Sequence, residues 1–124
     1  MTITRDELAV LENRINDQLA SYKTTFSMSV HFGIDRVNHL RNVPPITIVE
    51  LQSIFNRFIT CYIPALLALN DGDTFNIRCQ ASHINMPCGV TKVYTNTVAT
   101  QKNIVITVMR KQDFKASVTK EFTV

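Results

Sequence analysis

With 124 residues, 45% of them apolar and only three glycine and four proline, the chain fits one globular domain and excludes a disordered or linker-dominated one. Net charge is only +3, yet residues 1–77 carry six Lys/Arg against eight Asp/Glu while residues 78–124 carry seven against two, which turns the C-terminal part toward an acidic partner such as nucleic acid. The first twenty residues lack the apolar segment of a secretory signal and the longest apolar run, Phe58 to Leu69, is too short to span a bilayer, so a soluble, intracellular protein without membrane contact is expected.

Thr4 and Glu7 form a capping-box pattern, and Leu8, Leu11, Ile15, Leu19 and Tyr22 recur at spacings of three and four. That spacing predicts an amphipathic helix over 5–22. Phe26, Met28 and Val30 then alternate with polar residues, suggesting a brief extended segment before Ser29 caps a short helix over 30–40. Pro44 and Pro45 stop it. Thr47 is the expected cap of a third helix, with Ile48, Leu51, Phe55, Phe58, Tyr62 and Leu66 as its apolar stripe. From Phe58 to Leu69 this helix is apolar nearly all round, which predicts deep burial or a homodimer contact, and Pro64 is expected to kink it.

After Asn70-Asp71-Gly72-Asp73 the period changes from 3.6 to 2. Phe75, Ile77 and Cys79 alternate with Asn76, Arg78 and Gln80, reading as a strand with one wet face. SHINMPCG reads as a loop, 90–98 and 103–110 as strands, and Phe114, Ala116, Val118, Phe122 and Val124 alternate to the end. The expected fold is α+β, a single domain over 1–124, with three N-terminal helices packed on a C-terminal antiparallel sheet of three to four strands.

Side chains that move protons and hold anions concentrate in HFGIDRVNHLRN, residues 31–42. On a helix His31 and Asp35 share a face, with Asn38 one turn on; a carboxylate beside an imidazole orients the ring and raises its pKa, as general acid-base catalysis needs. Arg36 lies about 140° round from His31 by the helical pitch, so it either supports the site from one side or makes a structural ion pair. Arg41, beyond the helix, is freer to reach a phosphate. Arg110 and Lys111 end a strand and can clamp a phosphate, or act as charged gatekeepers of a sheet edge. Tyr94, flanked by Lys92, can stack a single-stranded base, and Arg78 adds to the basic C-terminal face. His39 and His83 are weaker acid-base candidates. Cys61, Cys79 and Cys88 form no CxxC pair, and a metal site of Cys79, His83 and Cys88 lacks an evident fourth ligand, so reduced thiols and no metal or other cofactor are expected. No GxxxxGK[ST], GxGxxG, HExxH or GxSxG sequence occurs, which argues against nucleotide cofactors and the common hydrolase triads.

The runs HFGIDRVNHLRNVPPITIVELQSIF, HINMP and VITVMRKQDF resemble small bacteriophage-encoded proteins over about residues 28–124, and the first run is similar, over some twenty-five residues, to the His…Arg helix of RegB-type phage endoribonucleases and, more distantly, of RelE-like toxins. The resemblance implies helices on a small antiparallel sheet and metal-independent RNA cleavage with the 2′-hydroxyl as nucleophile. It would make His31 an acid or base, Arg36 a phosphate ligand or support, and Arg110 the basic residue of a late strand. The spacing departs from the family: histidine precedes arginine by five residues rather than four, so Phe32 takes the aligned slot, and the second family histidine falls near Asn56. Either His39 or His83 then completes the acid-base pair, or catalysis is lost. The leading expectation is a phage-encoded endoribonuclease acting on mRNA in the host cytoplasm, with His31, Asp35 and Arg110 catalytic and Arg36, Arg41, Arg78, Lys92, Tyr94 and Lys111 binding substrate. The alternative is a non-enzymatic phage protein that binds a host factor or nucleic acid, or a minor virion component.

Overall fold

A computed structural model describes residues 3–28, 36–115 and 117–124. The first helix, α1 (Arg5–Leu19), starts as the sequence dictates: the Thr4 hydroxyl accepts from the Glu7 amide and the Glu7 carboxylate from the Thr4 amide. Leu8, Leu11, Ile15 and Leu19 are its buried stripe, and a 3₁₀ turn (Ala20–Tyr22) carries the chain into strand β1 (Thr24–Met28). The second helix, α2 (Ile48–Leu67), repeats the device with Thr47 and Glu50. Thr47→Ala should therefore cost about 1 kcal/mol, measured by urea unfolding.

Four strands and a short fifth follow: β2 (Thr74–Arg78), β3 (Ile84–Thr95), β4 (Val98–Val105), β5 (Met109–Arg110) and β6 (Lys120–Thr123). They join β1 in one six-stranded sheet of order β1-β4-β3-β2-β6, with β5 pairing β3 beyond the end of β4. The central pairs β4–β3 and β3–β2 are antiparallel, whereas both outer pairs, β1–β4 and β2–β6, are parallel. Among the described residues, two long α-helices and a six-stranded mixed sheet stand in place of the expected three helices on an antiparallel sheet of three to four strands. The sheet is larger and mixed because the extended segment after α1 joins it as an edge strand, parallel to residues 101–105, and the end of the chain adds a second parallel edge. The helix expected over 30–40 falls largely outside the described residues, of which Arg36 and Val37 form a helical turn.

Two further expectations change. The loop expected at SHINMPCG is mostly the start of β3, which accommodates Pro87 because its neighbour changes there from β4 to β5. The Pro87 carbonyl accepts from the Ile106 amide on that interrupted side, where its own missing N–H also points, so no ladder bond to β2 is lost. The supposed wet face of β2 is dry at its centre, where Asn76 is fully buried and donates to Asn85 Oδ1 at 3.1 Å.

The core lies between helices and sheet. Phe58 on α2 sits 5.2 Å from Phe122, 6.0 Å from Phe26 and 6.2 Å from Phe75, ring centre to ring centre, tying α2 to β6, β1 and β2. The large apolar side chains between Phe58 and Leu69 turn into this core or lie half-buried against it; Thr60, Cys61, Pro64 and Ala68 face outward. Among the described residues no helix is long and apolar enough to cross a membrane.

Polar side chains set the register and cover the edges. Asn103 donates to Thr24 Oγ1 (2.8 Å) and the Thr25 carbonyl (2.9 Å), and Gln101 donates to the Leu66 carbonyl at the end of α2. A one-residue slip of β1 would strand the buried Asn103 amide. On its open side β1 is paired by α1: Asn16 accepts from the Phe26 amide and donates to its carbonyl, and Glu12 accepts from the Met28 amide. At the opposite edge the Tyr62 hydroxyl donates to the Thr123 carbonyl. Four of the outward edge groups, the Phe26 amide and carbonyl, the Met28 amide and the Thr123 carbonyl, are thereby occupied.

Candidate functional site

His31 and Asp35 lie outside the described residues. Residues 36–42 of their cluster are described, and much of that part is structural. Asn38 holds the Ile3 backbone through both its carbonyl and amide groups, each at 2.8 Å. Asn42 donates to the Arg36 and Val37 carbonyls and accepts from the Arg110 amide. His39 Nδ1 accepts from the Arg41 amide, within its own turn. Arg36 and Arg41 are exposed.

Arg110 is the most extensively hydrogen-bonded cation among the described residues, its side chain only 8% exposed. Nη1 and Nη2 form a bidentate pair with Glu50 (3.0 and 2.8 Å), and the guanidinium also donates to the carbonyls of Pro44 (2.7 Å), Pro45 (3.1 Å) and Ser82 (2.8 Å). All five N–H donors are taken. Arg110 in this arrangement presents none to a phosphate; it fastens β5 to the start of α2 and to the 80–83 turn. The hydrogen bond from Arg110 is the main cause that holds the Glu50 carboxyl below its ordinary value, against the opposing effect of burial.

The other chosen cations separate into two groups. Arg41, Lys111 and Phe114 line one cleft of about 440 Å³ together with Arg110 and Met109. Arg78, ion-paired to Glu121 and donating to the Phe114 carbonyl, lies in the adjoining depression with His83 and Lys111. Lys92 and Tyr94 sit elsewhere. Ile84 pairs with Arg110 at one end of β3, and Tyr94 is ten residues further along, about 33 Å at the rise of a strand. Lys92 is committed to structure, its Nζ donating to the Leu67 carbonyl at the end of α2.

Comparison with family models, curated proteins and solved structures finds no match to this chain.

Sequence reasoning passed over Arg57 and Ser82. Both line a third cleft, of about 580 Å³, between the exposed side of α2 and the 81–83 turn, with Ser53, Cys79, His83 and the Glu50–Arg110 pair in its walls. Arg57 Nε donates to the Ser53 carbonyl and Nη2 to Cys79 Sγ at 3.4 Å. Burial alone would push the Cys79 thiol up; the neighbouring Ser82 hydroxyl and amide and the Arg57 guanidinium outweigh it and hold the thiol below its ordinary value. The Ser82 hydroxyl oxygen is buried beside this thiol. His83 occupies the left-handed region at φ 60°, which histidine tolerates better than most residues, and closes the turn with its amide on the Cys79 carbonyl. The signal that could have marked Arg57 was its position off the apolar stripe of α2, in line with Ser53 one turn before it. Cys88, by contrast, is fully buried, its thiol bonded to the Met86 carbonyl and pushed up by burial. Among the described residues no three His, Cys, Asp or Glu side chains gather as a metal site, so Cys79, His83 and Cys88 do not form one.

Proposed function

We propose that the protein binds single-stranded RNA in the cleft of Arg41, Lys111 and Phe114. The observation that carries this reading is the meeting of two exposed cations, distant in sequence, beside a half-buried aromatic ring. A nucleotide asks for that combination: positive charge for its phosphate and a flat apolar surface for its base. The surplus of Lys/Arg in residues 78–124 supports it.

RNA cleavage extends the same reading. His31 would exchange protons with the 2′-hydroxyl or the leaving 5′-oxygen, Asp35 would orient its ring, and Arg41 and Lys111 would hold the charge that develops on phosphorus. Arg110 then serves the site by fixing β5 and Lys111 in place. A host-protein-binding or virion role is the alternative if RNA is not bound.

Arg41→Gln/Lys111→Gln should weaken binding of labelled single-stranded RNA at least about tenfold and reduce the dependence of log K on log salt by about 0.7 for each cation removed. Fluorescence anisotropy across a salt series measures both. Equal affinity and slope in variant and wild type would discard the cleft as the binding site. Cleavage is checked by incubating RNA with wild type and His31→Ala in EDTA: 2′,3′-cyclic phosphate ends from the wild type alone identify the enzyme, and intact RNA with both leaves a binding protein.

A further inference from the structure

We infer that the RNA path continues past Arg110 into the cleft of Arg57, Ser53, Ser82 and His83, so that the molecule takes neighbouring phosphates of one single strand, an oligonucleotide, rather than a mononucleotide or a duplex. This rests on the RNA-binding reading of the Arg41 cleft. The two clefts share a wall, because Arg110 lines both. That wall carries no net charge and no spare donor, since Glu50 neutralises Arg110 and its five N–H groups are engaged. Positive charge therefore stands on either side of it: Arg41 and Lys111 in one cleft, Arg57 in the other. His83 and Lys111 also face the depression that joins the two around the 80–83 turn.

Arg57 is prepared for an anion. Its guanidinium is held on one side by the Ser53 carbonyl and the Cys79 sulfur, which leaves its remaining N–H groups for the cleft and lowers the entropy lost when they bind. It makes no ion pair with a carboxylate among the described residues. Ser82 lies in the same wall, its hydroxyl oxygen buried beside the Cys79 thiol. A phosphate oxygen could accept from the N–H groups that Arg57 leaves open. The low Cys79 thiol reports the same local preference for negative charge. A duplex is too wide to enter clefts of this size, and its stacked bases could not reach Phe114; a single strand can splay its bases and follow the bend.

The test is calorimetric titration of the full chain with uncleavable 2′-O-methyl oligouridines of one, two, four and six nucleotides, and with a duplex of equal length. For the wild type, affinity should rise about tenfold from the mononucleotide to the tetranucleotide, the gain expected from one further charged hydrogen-bonding contact. Arg57→Gln should erase that rise and leave mononucleotide affinity intact, while Arg41→Gln should weaken every length. A thermal scan of Arg57→Gln guards against loss of fold, and Arg57→Lys, which keeps the charge but not the planar fork, should retain part of the rise. A length gain that persists in Arg57→Gln, equal affinity for mononucleotide and tetranucleotide, or tighter binding of duplex overturns the inference alone. Failure of every oligonucleotide to bind overturns the RNA-binding reading itself.

Discussion

Arg110→Met should destabilise the protein by about 2–3 kcal/mol, less than the loss from a fully buried ion pair because the Glu50 carboxylate is 30% exposed. The substitution abandons a carboxylate and three carbonyls at once, those of Pro44, Pro45 and Ser82. Urea unfolding gives the magnitude, and Glu50→Leu added to Arg110→Met should recover part of it, because the uncompensated charge goes with the carboxylate. The pH dependence has a defined sign. Glu50 is held below its ordinary 4.5 in the folded state, so its contribution is present above that value and is lost as pH falls through the lower folded one. Wild type should lose stability across that acid window more steeply than Arg110→Met. An inactive Arg110 variant would report a loosened fold, and only the stability-restored double variant could speak for a direct part in binding RNA.

Phe58→Ala should cost about 3–5 kcal/mol, a large share of the roughly 5–15 kcal/mol that holds a domain of this size together. The ring is fully buried and lies within 5.2–6.2 Å of four other rings, parallel to that of Phe75 and steeply tilted to those of Phe26 and Phe122. Its removal detaches α2 from three strands at a single point. Phe58→Leu, which keeps an apolar side chain of nearly the same reach, should cost under about 1.5 kcal/mol. Equal losses for the two variants in urea would mean that the cavity does not matter and that the cluster is less tightly packed than its geometry indicates.

The features legible in the sequence are those written within one turn or one strand. Thr4 with Glu7 and Thr47 with Glu50 announce two helix starts because both partners of each box lie three residues apart. The stripe from Leu51 to Leu66 likewise follows from helical pitch. Pairing across the chain has no such local signature: nothing near Phe26 says that its strand will lie parallel to Asn103, and nothing near Asn76 says that Asn85 will cover it. The candidate site divides the same way. Arg110 resembles an available phosphate ligand only while Glu50, sixty residues earlier, is out of view. Lys92 resembles one until the end of α2 arrives beneath it. Arg41 and Lys111 do share a cleft, whereas Arg57 drew no notice because its partners, Cys79 and the 81–83 turn, come from a different element.

The parallel pairing of β1 with β4 also sets a timetable. Thr24 finds its place only opposite Gln101, and at a synthesis rate of about 5–20 residues per second roughly 4 to 15 s separate the two on the ribosome. Through that interval Phe26 and Met28 have α1 beside them but no sheet to complete their burial, and every nascent copy passes through this half-clad state before the molecule can close.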